Sequence, residues 1–278
     1  EEKGQQQYLD SALVYLRDAQ KLNISPNSPQ LVANAMAQSI VHLNLGDAPA
    51  CKAALDRAFS IAQRLYEPQQ PEMADIYQGY GEYYFRAVND PKTALPYFQK
   101  SIAALFENYN DESIDGLPDE NLFAACHSID NLTNALAWKA RTSFALYQQT
   151  RQPADLQRAY KTAVLYDKIP NYLRKNSTDA NNVRWADFFF EGYEFAIQIA
   201  LELHKTTNDK QYLNQAFYFS EKCKGLSLLQ AFQTTKATKL AGIPTAMLEN
   251  EAKIKLEIAQ LDQELYVLSA RKNKETLP

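Results

Sequence analysis

The chain has 278 residues, a 46% hydrophobic fraction and a formal net charge of -4 from 29 basic and 33 acidic residues. That is enough apolar material for a continuous core, so the chain need not be disordered, and no basic block is present to neutralise a phosphate backbone, which argues against nucleic-acid binding. With only 8 Gly, the tight turns of a sandwich or barrel are not supplied, so long helices are favoured.

No apolar run nears the roughly 20 residues of a membrane-spanning helix, and the polar start Glu1-Glu2-Lys3-Gly4-Gln5-Gln6-Gln7 is no signal peptide. The first residue is Glu1 and not methionine, so a processed or truncated start is expected and secretion of the parent chain stays open. Cys51, Cys126 and Cys223 are odd in number and widely spaced. They read as reduced or buried thiols, which points toward the cytoplasm without settling it.

Hydrophobic spacing predicts a first helix through Tyr8–Leu16, ended by Ser25-Pro26-Asn27-Ser28-Pro29. A second runs from Pro29 to Leu45, with Gly46-Asp47 as its stop. A third carries Cys51, Leu55, Ala58, Ala62 and Leu65 at spacings of three and four, and Pro68 and Pro71 close it. A fourth runs through Met73–Phe85. After Asn89-Asp90-Pro91 a fifth carries Ala94, Phe98 and Ser101. Gly81, Ala94 and Ser101 are small residues around the large Phe98, the pattern of two antiparallel helices crossing closely. Pro96 is expected in the first turn of its helix, where no intrahelical donor is lost.

Residues 108–119, with Gly116 and Pro118, read as a loop inside one array. The helical pattern resumes over 121–150, 154–174, 180–207 and 210–237. Residues 144–161 and 201–218 align without a gap: Leu146 with Leu203, Thr150 with Thr207, Leu156 with Leu213, Ala159 with Ala216, Tyr160 with Phe217. Each copy reads as a helical hairpin longer than the standard repeat of roughly 34 residues. Gly242-Ile243-Pro244 marks a stop and restart. The final helix carries Met247, Ile254, Ile258, Leu261, Leu265 and Leu268, a stripe suited to pairing along a narrow seam. The expected organisation is a helical repeat array over 1–240 and a heptad-like helix over 241–278 leading to a downstream domain.

Pro71-Glu72-Met73-Ala74-Asp75-Ile76-Tyr77 resembles the opening of a repeat in the kinesin-light-chain style of tetratricopeptide array. Phe219-Ser220-Glu221-Lys222-Cys223-Lys224-Gly225-Leu226-Ser227-Leu228-Leu229-Gln230-Ala231-Phe232, then Leu240-Ala241-Gly242-Ile243-Pro244 and a charged helix, resembles the segment before the CHAT peptidase domain of bacterial repeat proteins. Residues 130–175 are similar to the same pattern, and the resemblance spans about residues 30–270. It implies an all-α fold, a superhelical array of antiparallel hairpins with a long C-terminal helix. It also implies a recognition or regulatory region that a caspase-like cysteine protease domain follows.

Ala124-Ala125-Cys126-His127-Ser128 has the look of a caspase-like nucleophile, but that chemistry needs Cys and His on separate strands. Here the run sits in a helical pattern, and neighbours on a helix point about 100° apart. His42, His127 and His204 lack metal-ligand spacing. Gly79-Tyr80-Gly81 lacks the third Gly of a phosphate loop. Asp111, Glu112 and Asp115 lie in a loop and not in the carboxylate motif of a helical lipid cyclase. No catalytic, metal or cofactor site is therefore expected.

The function these features imply is a non-catalytic scaffold that holds a partner protein or extended peptide. Its inner surface comes from the first helix of each hairpin. Asn44, Arg86, Gln148 and Lys205, preceded by Leu43, Phe85, Tyr147 and His204, are expected to face it. Polar or basic beside apolar suits a peptide with some acidic character. Ile254, Ile258, Leu261, Leu265 and Leu268 are expected to dock the downstream CHAT-like domain, or a second copy as a homodimer. The alternative is a sensor whose repeats change curvature on binding a signal peptide.

Overall fold

The computed structural model describes residues 2–21, 27–176, 179–235, 250, 253–254 and 257, and every regular element among them is helical. α1 (Glu2–Lys21) precedes four hairpins: α2 (Pro29–Asn44) with α3 (Ala48–Ala62), α4 (Pro71–Glu82) with α5 (Pro91–Ala103), α6 (Ile129–Thr150) with α7 (Pro153–Asn176), and α8 (Asp179–Thr207) with α9 (Lys210–Thr235). The chain forms two compact units, Glu1–Tyr172 with Glu191–Ser220, and Leu173–Phe190 with Glu221–Pro278. In the second, Leu173 and Phe189 are buried and Lys224 pairs with Glu221 at 3.1 Å on the surface. The expected boundary at 240 lies outside the described residues.

Each hairpin reverses through one residue in left-handed backbone: Gly46 (φ 73°), Asn89 (φ 57°), Arg151 (φ 58°) and Asn208 (φ 56°). Glycine takes that conformation freely and asparagine tolerates it, whereas Arg151 sits there at a cost of about 1–2 kcal/mol. The next residue starts the partner helix. The Asp47 carboxylate accepts from the Ala50 amide (3.1 Å), Asp90 from Thr93 (3.0 Å) and Asp209 from Gln211 (2.9 Å), filling orphan donors of the first turn. The two aligned copies share two of their turn bonds. The Arg151 and Asn208 amides donate to the Tyr147 and His204 carbonyls at 2.7 and 2.8 Å. The Gln152 and Asp209 amides donate to the Thr150 and Thr207 hydroxyls at 3.1 and 3.3 Å. The matched threonines are thus turn formers.

The α4–α5 crossing rests on Gly81. A Cβ there would stand 2.6 Å from Phe98 Cε1, and Phe98, Ala94 and Ser101 are fully buried. Pro96 departs from expectation. Asp90 caps the helix and Pro91 opens it, so Pro96 falls in the second turn, where its missing N–H leaves the Lys92 carbonyl without its helical donor. α4 also runs into a π-helical turn, Tyr83–Ala87, in which the Val88 amide reaches back to the Tyr83 carbonyl at 3.2 Å.

The segment expected as one helix over 121–150 is broken. A 3-10 turn, Glu120–Ala125, ends at Cys126 in extended backbone, and Ser128 caps α6 by accepting from the Asn131 amide at 3.3 Å. The loop ahead of it is held from below by a fully buried lysine. Lys139 on α6 donates through Nζ to Gln99 Oε1 (2.5 Å) and to the Gly116 carbonyl (2.6 Å). Gln99 in turn donates to the Asp111 carbonyl and the Tyr109 hydroxyl. Buried Arg158 closes the ring on Asp115 (2.7 Å) and Asp155 (2.6 Å). Burial first, and then Arg158, pushes the Lys139 amine down to about 7.

Two outcomes follow from these contacts. Gly81→Val should overpack against Phe98, cost about 1–3 kcal/mol and lower the thermal midpoint, and Phe98→Leu should recover part of it. Lys139 has a folded pKa below its unfolded one, so above about 7 the unfolded chain binds more protons and stability rises with pH. Urea unfolding between about pH 7 and pH 9 should show that rise in the wild type and a flatter line in Lys139→Met.

Candidate functional site: an apolar groove with a carboxylate wall

Two stripes at helical spacing face each other across a groove of about 490 Å³. α2 contributes Val32, Met36, Ile40 and Leu43, and α4 contributes Glu72, Asp75, Gly79 and Glu82. Steps of three and four residues keep each set on one face. Gly79 keeps the floor open: a Cβ there would meet Leu55 Cδ2 at 2.8 Å and Met36 Cε at 3.2 Å. Ile40 is the most exposed aliphatic among the described residues, at 56%. One wall is therefore apolar and the other carries three carboxyl groups.

The electrostatics follow from crowding. Loss of surrounding water, then the Glu72 carboxylate, pushes Asp75 up to about 6, and Asn131 on α6 donates to it at 2.6 Å. Desolvation likewise raises Glu82, offset by hydrogen bonds from Gln78 (3.1 Å) and by Arg86 (3.6 Å). A cation placed between α2 and α4 would relieve this crowding of negative charge.

Beyond the groove, the first helices of successive hairpins are tied side to side. Arg86 donates to Asn44 Oδ1 at 2.8 Å. Phe85 meets Trp138 edge-on, with ring centres 5.8 Å apart. The Arg141 guanidinium lies 5.6 Å from the Phe85 ring, 5.0 Å from Trp138 and 4.7 Å from Phe195. Tyr147 donates to Glu202 at 3.2 Å, and Arg151 and Lys205 approach the same carboxylate at 3.6 and 3.7 Å.

The structure thus brings Asn44 to Arg86, and Tyr147 to Lys205 through Glu202. Tyr147 is buried, so it holds α8 in place and offers no wall to a partner. Gln148 and Lys205 are exposed, and His204 is engaged at its own turn, Nδ1 lying 2.9 Å from the Asp209 carbonyl. Arg86 answers Glu82 within the chain, and the groove it adjoins is acidic, so the lining does not match the acidic peptide expected from Arg86 and Lys205. Glu72, Asp75 and Glu82 fall outside the one position per hairpin expected to face a partner, although their spacing of three and seven, which keeps them on one helix face, is plain in the sequence. Of the C-terminal stripe, Ile254 is exposed, and Ile258, Leu261, Leu265 and Leu268 lie outside the described residues.

Stacked helical hairpins with small residues at their crossings define an α-helical repeat protein. Residues 31–105 match the tetratricopeptide repeat family, which makes α2 to α5 a tetratricopeptide-repeat region. Comparison with curated proteins finds no match. Among the described residues no helix is long and apolar enough to cross a membrane, and no three His, Cys, Asp or Glu side chains gather as a metal would need.

Cys126 and His127 lie in the extended break before α6, not in a helix, and the two side chains are not joined. The Cys126 thiol donates to the Ser128 carbonyl at 3.3 Å, while the His127 amide donates to the Leu105 carbonyl at 2.9 Å. Burial pushes both Cys126 and Cys51 up to about 11. A thiol that protonated is a poor nucleophile. Iodoacetamide at about pH 8 should alkylate both at least about tenfold more slowly in the folded chain than in urea, as read by mass spectrometry of digests.

Proposed function

We propose that this chain is a non-catalytic protein–protein interaction scaffold whose α2–α4 groove holds a partner segment rich in apolar and basic side chains. The observation that carries this reading is the pairing of Val32, Met36 and Ile40 with Glu72, Asp75 and Glu82 across one groove. Apolar side chains of the partner would supply affinity by leaving water, at about 25 cal/mol per Å² buried. Lysine or arginine would supply register and discrimination against acidic segments. Tetratricopeptide repeats are generally protein–protein interaction modules, which supports the class. The resemblance of residues 219–244 to the region ahead of CHAT peptidase domains supports placing the scaffold as the recognition part of a larger protease-like protein.

The test uses a labelled alternating Leu-Lys peptide, with a Leu-Glu peptide as control, in fluorescence anisotropy on the full chain. Only the Leu-Lys peptide should bind. Glu72→Lys with Glu82→Lys should weaken it about tenfold or more, and Ile40→Asp should do the same with helicity unchanged. Binding should also fall as pH drops through about 6, where Asp75 loses its charge, and Asp75→Asn should reduce that dependence, leaving the part due to Glu82. Equal binding of both peptides, or indifference to the charge reversals, sinks the reading.

A further inference from the structure

Three tyrosines that take no part in the groove stack face to face between α4 and α5. Tyr80 and Tyr84 stand four residues apart, so they share one side of α4 and its π-helical continuation. Tyr97 of α5 lies against both. Its ring centre is 5.3 Å from that of Tyr80, with the planes 26° apart, and 5.3 Å from that of Tyr84, with the planes 15° apart. Tyr80 is buried, whereas Tyr84 and Tyr97 are half-buried, so solvent reaches that end of the stack.

The buried end is tied off from α3. Tyr80 donates to Asp56 at 2.7 Å, and the Lys52 ammonium bonds the same carboxylate at 2.6 Å while standing 5.4 Å from the Tyr80 ring centre. A cation near a ring opposes the loss of an electron from it. At the open end the two phenols answer each other: burial first, and then the Tyr84 phenol beside it, hold Tyr97 above the usual tyrosine range. A phenoxyl radical carries its unpaired electron on the oxygen and on the ring carbons beside it. Parallel rings with neighbouring hydroxyls bring those carbons together, and crossed rings do not. Tyr83–Tyr84 and Tyr160–Tyr212 are as close, at 5.1 and 5.2 Å, but cross at 75° and 88°.

We propose that Tyr84 and Tyr97 are an oxidative cross-linking site, coupled into dityrosine by a peroxide-derived one-electron oxidant. Each ring gives one electron to the oxidant and its hydroxyl proton to water. The two phenoxyl radicals then join through one ortho carbon each, forming a carbon–carbon bond. The hydrogens on those carbons move to the oxygens, which restores both phenols. The chain loses two hydrogen atoms in all, and one hydrogen peroxide becomes two waters. The product staples the π-helical end of α4 to α5 across the Asn89-Asp90 reversal. It is independent of what the α2–α4 groove holds.

Limited oxidation of the dilute full chain tests it, with hydrogen peroxide and a small haem-peptide peroxidase, followed by trypsin and mass spectrometry. Among the 17 tyrosines, the first cross-link within the chain should join the peptides 65–86 and 93–100. It should weigh their sum less two hydrogens and carry dityrosine fluorescence. Tyr84→Phe and Tyr97→Phe should each abolish it, and Tyr80→Phe should keep it. Phenylalanine retains the stacked ring, so circular dichroism should be unchanged, and either variant suffices should the other lose helicity. Tyr160 and Tyr212 are half-buried like the proposed pair, and at the same dose they should stay unlinked. Four results would each overturn the proposal: no dityrosine within the chain, equal or earlier coupling of Tyr160 to Tyr212, a cross-link that survives Tyr84→Phe, or products only between chains through exposed Tyr8 and Tyr15.

Discussion

The structure depends on reversing the chain within one or two residues while keeping both flanking helices intact. A left-handed residue ends one helix and its neighbour caps the next, at Gly46-Asp47, Asn89-Asp90, Arg151-Gln152 and Asn208-Asp209. So short a reversal forces the two helices to lie against each other, and their contact face must then be built for close approach. Gly81 under Phe98 is that requirement at its most severe. The groove follows from the same geometry, because first helices of adjacent hairpins are left side by side with a gap between them.

The hairpins were legible because their signals are local. Gly46-Asp47, Asn89-Asp90-Pro91 and the Thr150/Thr207 match each sit where the chain turns, and three-and-four spacing carried the helices between them. The departures are those that local reading cannot reach. The break at Cys126 depends on burial of Phe123 and on the Leu105 carbonyl that takes the His127 amide. Both are tertiary contacts. The π turn at Tyr83–Ala87 adds a residue to one helical turn with no proline or glycine inside it to announce it. Pro96 falls in the second turn because Asp90-Pro91 is the stronger start signal. The groove was half legible. Both its stripes can be read off α2 and α4, but which helices face each other comes from the stacking.

Charge inside this molecule is settled by burial. Lys139 is wholly enclosed and satisfies carbonyls from a helix and a loop, so an amine normally found on surfaces acts as an internal clasp that fixes residues 108–119 over α5 and α6. Glu82 is half-buried and Asp75 exposed; a partial loss of water raises both, and they stand at the edge of an open groove, where a cation from outside can answer them. Buried groups answered from within hold the fold, and those left for an external partner give the surface its selectivity.

Arg141 touches rings on three successive first helices, Phe85 beside α4, Trp138 on α6 and Phe195 on α8. Any flexing between those hairpins must pull the guanidinium off at least one ring, a loss of roughly 0.5–1 kcal/mol each time. The first two hairpins are tied differently: Arg86, in the turn after α4, donates to Asn44, and Tyr80 on α4 donates to Asp56 on α3 at 2.7 Å with the Phe59 ring edge-on to it. One cation shared by three rings therefore couples α4, α6 and α8, so that a displacement of any one of these first helices is felt at the other two.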